Sequence, residues 1–322
     1  MRRINFEVPG KPADVLKVID VEKPIPTTEE VLVKVGLSPI NPSDVMFIQD
    51  LYGIRPQLPS PAGFEGYGII ESVGEEVRIP VGTRVSFRGM GAWGEYVCVH
   101  KTMVIPVPDT MPDEFAAQLF VNPFTAVVMV EESGVKAGEW LMITACGSAL
   151  GKAVVQLCKM KGIKTIGTVR RNDLIDELKT LGADEVINVK EENLEKRVKE
   201  ITGKGVRGIL ECIGGRDTEE ALKCLGRGGL MLIYGLMSLD DPKINVGLMI
   251  FKELQIKGFW LTDWLKRASP EDSKRVAKDV ITFLSTGQIQ LPVEAYYGLD
   301  EISKAATHAD APGRWGKVLV KP

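Results

Sequence analysis

The sequence predicts an α/β protein of two domains, a β-rich barrel-like module and a doubly wound parallel sheet. Three observations point there. The chain has 322 residues, more than one hydrophobic core usually organises. Its first third consists of short Val- and Ile-rich runs bounded by Gly and Pro, the pattern of strands and turns. After about residue 112 the pattern becomes strand, helix, strand at a spacing that calls for parallel crossovers.

The elements follow in order. MRRINFEVPG opens in strand-like alternation, so no signal or transit peptide is expected within it. VLVKVGLS (31–38), GYGIIESVG (66–74), GTRVSFRG (82–89) and GEYVCVH (94–100) read as strands of the first module. DEFAAQLFVNPFTAVVMVEESG (113–134) has helical spacing interrupted at Pro123. WLMITA (140–145) is a buried strand, and SALGKAVVQLCKMKG (148–162) a helix stopped by glycine. KTIGTV (164–169) and DLIDELKTLG (173–182) repeat the strand and helix, and EVINV (185–189), GILECIG (208–214) and GLMLIYG (229–235) continue the strands. The alternation stops after about residue 258, and GKVLVKP (316–322) closes the chain as a strand. The tail is expected to return to the first module, which gives domains 1–118 plus 259–322 and 119–258.

Composition narrows the function. Net charge is −3, the isoelectric point is near 5.7, and no basic run is long, so a nucleic-acid or anionic-membrane surface is disfavoured. Five cysteines form no C-x-x-C pair, which fits reduced thiols in the cytoplasm and neither a disulfide framework nor a zinc ribbon. No apolar run approaches the roughly 20 residues of a membrane span.

The strand 140–145 runs into Cys146-Gly147-Ser148-Ala149-Leu150-Gly151 and then a helix. Small residues there let a backbone approach a pyrophosphate, and the helix start offers free N–H groups and a positive dipole end. Against the G-x-G-x-x-G pattern one glycine is replaced by Ser148, so the strand–turn–helix–strand context carries the assignment. The next strand ends in Arg170 and Arg171, where NAD proteins place an acid about 20 residues after the glycines. Guanidinium forks suit a 2′-phosphate, and NADPH is the expected cofactor. The alternative is two solvated surface arginines.

A β-rich module beside a dinucleotide domain resembles the medium-chain dehydrogenase/reductase superfamily over essentially the whole length, which implies a GroES-like catalytic domain and a Rossmann cofactor domain. Where zinc members carry ligands, this chain has Asn41, Gly63-Phe64-Glu65 and Asn122. Neither Asn nor Phe replaces thiolate or imidazole on zinc, so no metal is expected. NPSDVMFIQDLYG (41–53) followed by PAGFEGYGIIESVG (61–74) is similar to the zinc-free branch of quinone oxidoreductases and 2-enoyl thioester reductases. VNPFTAVVMV, SALGKAVVQL, IYGLMS and IFKELQIKGFWLTDWLK lean toward the thioester reductases. Gln-Asp-Leu-Tyr departs from their usual Gln-Gly-x-Tyr.

The resemblance implies NADPH-dependent reduction of the C=C bond of an α,β-unsaturated carbonyl, with a trans-2-enoyl thioester as first choice and a quinone as alternative. It makes Tyr52 the proton donor; the plainer alternative is a core tyrosine. A phenol with a pKa of about 10 stays protonated at neutral pH and can meet a forming enolate. Asn41 is expected to face the nicotinamide or substrate, or simply to cap the Asn-Pro-Ser-Asp turn. Asn122 and Thr125 match a pair flanking the nicotinamide, and Tyr234, Gly235 and Met237 fall in a matching cofactor stretch. Lys317 is expected to reach the cofactor, or else to be a snorkelling surface lysine. Phe259 and Trp260 are expected to wall the acyl pocket, Trp260 being otherwise a core or dimer-contact residue, and a homodimer follows by analogy. A more distant possibility is a non-catalytic NADPH-binding structural or RNA-binding protein, which the acidic balance opposes.

Overall fold

The structure is a computed structural model describing residues 1–322. The chain divides into two compact units, 1–121 with 280–322, and 122–279.

The first unit is built on a mostly antiparallel sheet. Its strands run in the order Val293–Gly298, Lys317–Lys321, Glu30–Pro39, Glu65–Val73, Arg84–Arg88 and Val104–Pro106, with Tyr96–His100 also pairing on Glu30–Pro39. A second, three-stranded sheet joins Arg2–Phe6 to Lys17–Asp20 and Ser60–Pro61. Alternating apolar side chains fill one core with Val31, Val33, Ile70, Val85 and Phe87. Another core gathers Ile4, Phe6, Phe47, Trp93 and Val318. The closing strand pairs Leu319 with Pro39 and Val320 with Ser38, so the tail completes the first unit's sheet.

The second unit is a six-stranded, wholly parallel sheet. Its order is Glu185–Asn188, Lys164–Val169, Trp140–Ile143, Val206–Glu211, Leu225–Ile233 and Gln255–Gly258. Numbered within the unit this is 3-2-1-4-5-6, the doubly wound order in which ligands bind outside the carboxyl ends of the strands where the order reverses. Met142, Ile166, Ile209 and Met231 are fully buried in its core. No helix is long and apolar enough to cross a membrane.

The helical run 113–134 is broken just before Pro123, as expected: helix Asp113–Ala117 ends and Asn122–Glu132 begins, with Pro123 in its first turn where its missing N–H costs nothing. One feature differs from expectation. Residues 259–279 group with the parallel-sheet unit rather than with the β-rich one. The cause is packing: helix Leu261–Arg267 lies against Asn122–Glu132, and Arg275 makes a two-pronged ion pair with Glu131 at 2.8 Å.

Candidate active site

In the parallel-sheet unit the strand 140–143 ends in a tight turn. Ala145 takes a left-handed conformation at φ +46, rare for a residue with a side chain, and Ser148 N–H donates back to its carbonyl at 2.9 Å. Ser148 then caps helix Ala149–Met160, its hydroxyl accepting the Gly151 N–H at 3.1 Å. A Cβ at Gly151 would lie 2.4 Å from the Cys146 carbonyl oxygen, so only glycine lets the helix start this close to the strand. Gly147, Ser148, Ala149, Leu150 and Gly151 thus form a shallow cradle at a helix N-terminus, chemistry that fits a pyrophosphate.

The neighbouring strand ends close the same edge. Cys146 N–H donates to the Thr168 carbonyl at 3.0 Å, one residue before that strand ends. Arg170 and Arg171 follow it. Arg170 pairs with Asp217 at 2.5 Å and Arg171 with Asp173 at 3.4 Å, and both guanidinium side chains are well exposed and able to turn to another anion. Tyr234 N–H donates to the Glu211 carbonyl at 2.9 Å and Met237 N–H to that of Cys212 at 3.0 Å. A Cβ at Gly235 would meet Cys212 Cβ at 2.8 Å. Gly147 to Gly151, Arg170, Arg171, Tyr234, Gly235 and Met237 therefore follow the carboxyl ends of strands of one sheet. Asn122 and Thr125, three residues apart on helix Asn122–Glu132, are both buried. Phe259 extends the sheet through its N–H to the Ile233 carbonyl at 2.8 Å, and Trp260, half-buried, precedes helix Leu261–Arg267.

In the β-rich unit, helix Pro42–Ile48 follows Asn41 and leads to Tyr52. The Tyr52 ring is half-buried, tilted against Phe64 at 5.7 Å between centroids, and Phe64 in turn lies edge-on to Phe47 at 5.0 Å. Phe64 thus holds an aromatic stack where zinc members have imidazole. No group of three or more His, Cys, Asp or Glu side chains is arranged to hold a metal ion.

Asn41 is 1% exposed, with its amide committed inward. Its Nδ2 donates to Glu65 Oε1 at 2.7 Å, and its Oδ1 accepts from Lys317 Nζ. Lys317 also donates to the Ile40 carbonyl at 3.2 Å. Asp44 accepts the Asn41 backbone N–H at 2.8 Å. Asn41 and Lys317 are therefore brought together inside one unit, and the ammonium is spent on that unit's own oxygens. Glu65 and Asp44 belong to the same network; sequence reading gives Glu65 no role and takes Asp44, with Asn41, first as a cap of the turn and second as a group facing the substrate. The signal for Glu65 was its place after Phe64 in Gly-Phe-Glu; the signal for Asp44 was the N-cap-to-N3 spacing in Asn-Pro-Ser-Asp. Burial pushes Asp44 up to about 7, against the pull of the Asn41 N–H.

A β-barrel-like unit joined to a 3-2-1-4-5-6 parallel sheet with a glycine turn defines a class of two-unit dinucleotide oxidoreductases. Residues 27–109 match the model of the alcohol dehydrogenase GroES-like domain, and 149–279 that of the zinc-binding dehydrogenase family. The chain belongs to the medium-chain dehydrogenase/reductase superfamily, whose members are oxidoreductases. It is 36% identical to the mitochondrial enoyl-[acyl-carrier-protein] reductase of Caenorhabditis elegans, across 87% of this chain and 83% of that protein. To the human mitochondrial enoyl-[acyl-carrier-protein] reductase it is 35% identical, across 95% and 84%. Among solved structures, Escherichia coli quinone oxidoreductase complexed with NADPH matches at a TM-score of 0.93 and 28% identity, covering all of both chains. Quinone oxidoreductase from Pseudomonas syringae matches at 0.91 and 27%, covering 100% and 99%.

Proposed function

We propose that the protein is a zinc-independent, NADPH-dependent reductase of the C=C bond of α,β-unsaturated carbonyls, acting on trans-2-enoyl thioesters of coenzyme A or acyl carrier protein. The observation that carries this is the pairing of two features. One is a capped glycine turn beside two exposed arginines. The other is a tyrosine held against an aromatic stack of Phe64 and Phe47. Gly147 to Gly151 would cradle the pyrophosphate of NADPH, Arg170 and Arg171 its 2′-phosphate, and Tyr234, Gly235, Met237, Asn122 and Thr125 would border the rest; Lys317, expected to reach the cofactor, instead fixes Asn41 within its own unit. NADPH supplies the hydride when bound.

The chain's own work is to orient the substrate and meet the charge that develops on its carbonyl. Tyr52 is the group in the β-rich unit assigned to donate a hydrogen bond or proton to the enolate. Asn41, fixed by Lys317 and Glu65, supports it. Phe259 and Trp260 would wall the acyl chain. Trp260→Ala should raise KM most for long acyl chains and leave kcat on crotonyl-CoA nearly unchanged, because it removes apolar surface and no acid. Equal KM values for short and long chains in both forms would remove Trp260 from the pocket.

NADPH:quinone oxidoreductase is the second reading, favoured by the structural neighbours named above. A cytoplasmic, homodimeric small-molecule enzyme is part of the proposal. Five free cysteines support the compartment, and the acidic balance supports a small substrate over nucleic acid or membrane. The dimer is supported by strand Gln255–Gly258, which edges its sheet, and by helix Val246–Lys252, which leaves Val246, Ile250 and Phe251 62–77% exposed. Phe251→Asp should yield monomers in sedimentation velocity; an unmodified protein already monomeric would contradict it.

A further inference from the structure

Two carboxylates and one ammonium are buried together at the start of the helix that leads to Tyr52. Glu65 is 1% exposed, Asp44 0% and Lys317 4%. Glu65 has the most partners. Its Oε1 accepts from Asn41, while its Oε2 accepts the backbone N–H groups of Phe120 at 3.1 Å and Val121 at 2.9 Å. All four lone-pair directions of an ionised carboxylate suit such donors; a carboxamide in its place would turn an NH₂ toward one set of them. A buried ion set of this kind adds little stability over apolar side chains of similar volume, because desolvation offsets the attraction. Its geometry is the more informative property.

That geometry leads to the proposed proton donor by two routes. Asn41, gripped by Glu65 and Lys317, begins the helix that carries Phe47. Phe64, adjacent to Glu65 in the chain, lies between Phe47 and Tyr52. The wall behind the tyrosine ring and the helix before it are thus both tied to one carboxylate.

We infer that Glu65 is a positioning residue for the reaction: with Lys317 it locks Asn41 and Phe64 and so sets the place of the Tyr52 ring. This rests on the role given to Tyr52 above. The charged groups facing Lys317 are Glu65, Asp44 and Arg314. Burial lowers the Lys317 ammonium below the usual lysine range; Glu65 and Asp44 oppose the shift and Arg314 adds to it. Burial also pushes Glu65 up to about 7, so it carries its charge above that range; there, removing it takes away a raising influence and Lys317 loses its proton at lower pH.

The test combines kinetics with a titration that needs no turnover. Lysine labelled with ¹³C at Cε reports Lys317 by NMR, assigned through Lys317→Met. In Glu65→Gln the Lys317 midpoint should fall, and kcat on crotonyl-CoA should drop about 10²-fold while KM for NADPH stays within about twofold. Glu65→Gln/Lys317→Met removes both charges, leaves neither unpaired, and should be no slower than the slower single variant. An unmoved Lys317 midpoint, or Glu65→Gln with kcat within about twofold of the unmodified protein, overturns the inference. If Glu65→Gln does not fold, the double variant decides: a kcat like the unmodified protein's overturns it, and a loss of about 10²-fold supports it. Should the unmodified protein reduce no enoyl thioester, the functional reading fails, while the titration still decides whether Glu65 and Lys317 are paired.

Discussion

Tyr52→Phe lowers kcat on an enoyl thioester by about 10²–10⁴ and leaves KM little altered, the loss typical of a positioned acid. The ring stays, so its contact with Phe64 and the aromatic stack stay with it. Thermal stability is therefore expected to change little, and the lost activity reports the hydroxyl alone. Reduction of a quinone needs no proton at carbon, so the same variant should lose less on that substrate. A variant that keeps its kcat on crotonyl-CoA makes Tyr52 a wall of the first unit and nothing more.

Changing Arg170 and Arg171 together to Ala raises the NADPH dissociation constant about tenfold to a hundredfold, the cost of losing a charge-assisted contact to phosphate. NADH, which lacks the 2′-phosphate, should bind nearly as before. The carboxylates now beside these arginines sharpen the expectation. Asp217 and Asp173 hold the guanidinium groups at 2.5 and 3.4 Å in exposed pairs, and such pairs are weak enough for a phosphate to displace. Fluorescence titration of both cofactors against both forms checks this. Equal affinity of the unmodified protein for NADPH and NADH would contradict the assignment.

The parallel sheet was legible because its strands are buried on both faces and read as short continuous apolar runs between glycines. The edge strand Gln255–Gly258 was not, since Gln-Ile-Lys-Gly is exposed on an edge and carries no such run. The strand-to-helix turn was legible in Gly147, Ser148 and Gly151. Its left-handed residue was not, because Ala145 adopts a conformation that sequence reserves for glycine or asparagine. Segment 259–279 was misplaced because an ion pair 144 positions apart, Arg275 with Glu131, leaves no local trace. The same holds for the buried network. Asn41 and Lys317 were marked separately for the cofactor or substrate, but their bond spans 276 positions, and only folding shows that they share Glu65.

The central claim is hydride transfer from NADPH to the β-carbon of an enoyl thioester, and the most direct measurement follows that atom. Crotonyl-CoA is incubated with the protein and NADPH deuterated on the transferable position of the nicotinamide, alongside a benzoquinone reaction. The account predicts butyryl-CoA carrying deuterium at the β-carbon, with solvent supplying the hydrogen at the α-carbon. Unchanged crotonyl-CoA beside rapid consumption of the quinone would contradict it and leave the chain a quinone reductase.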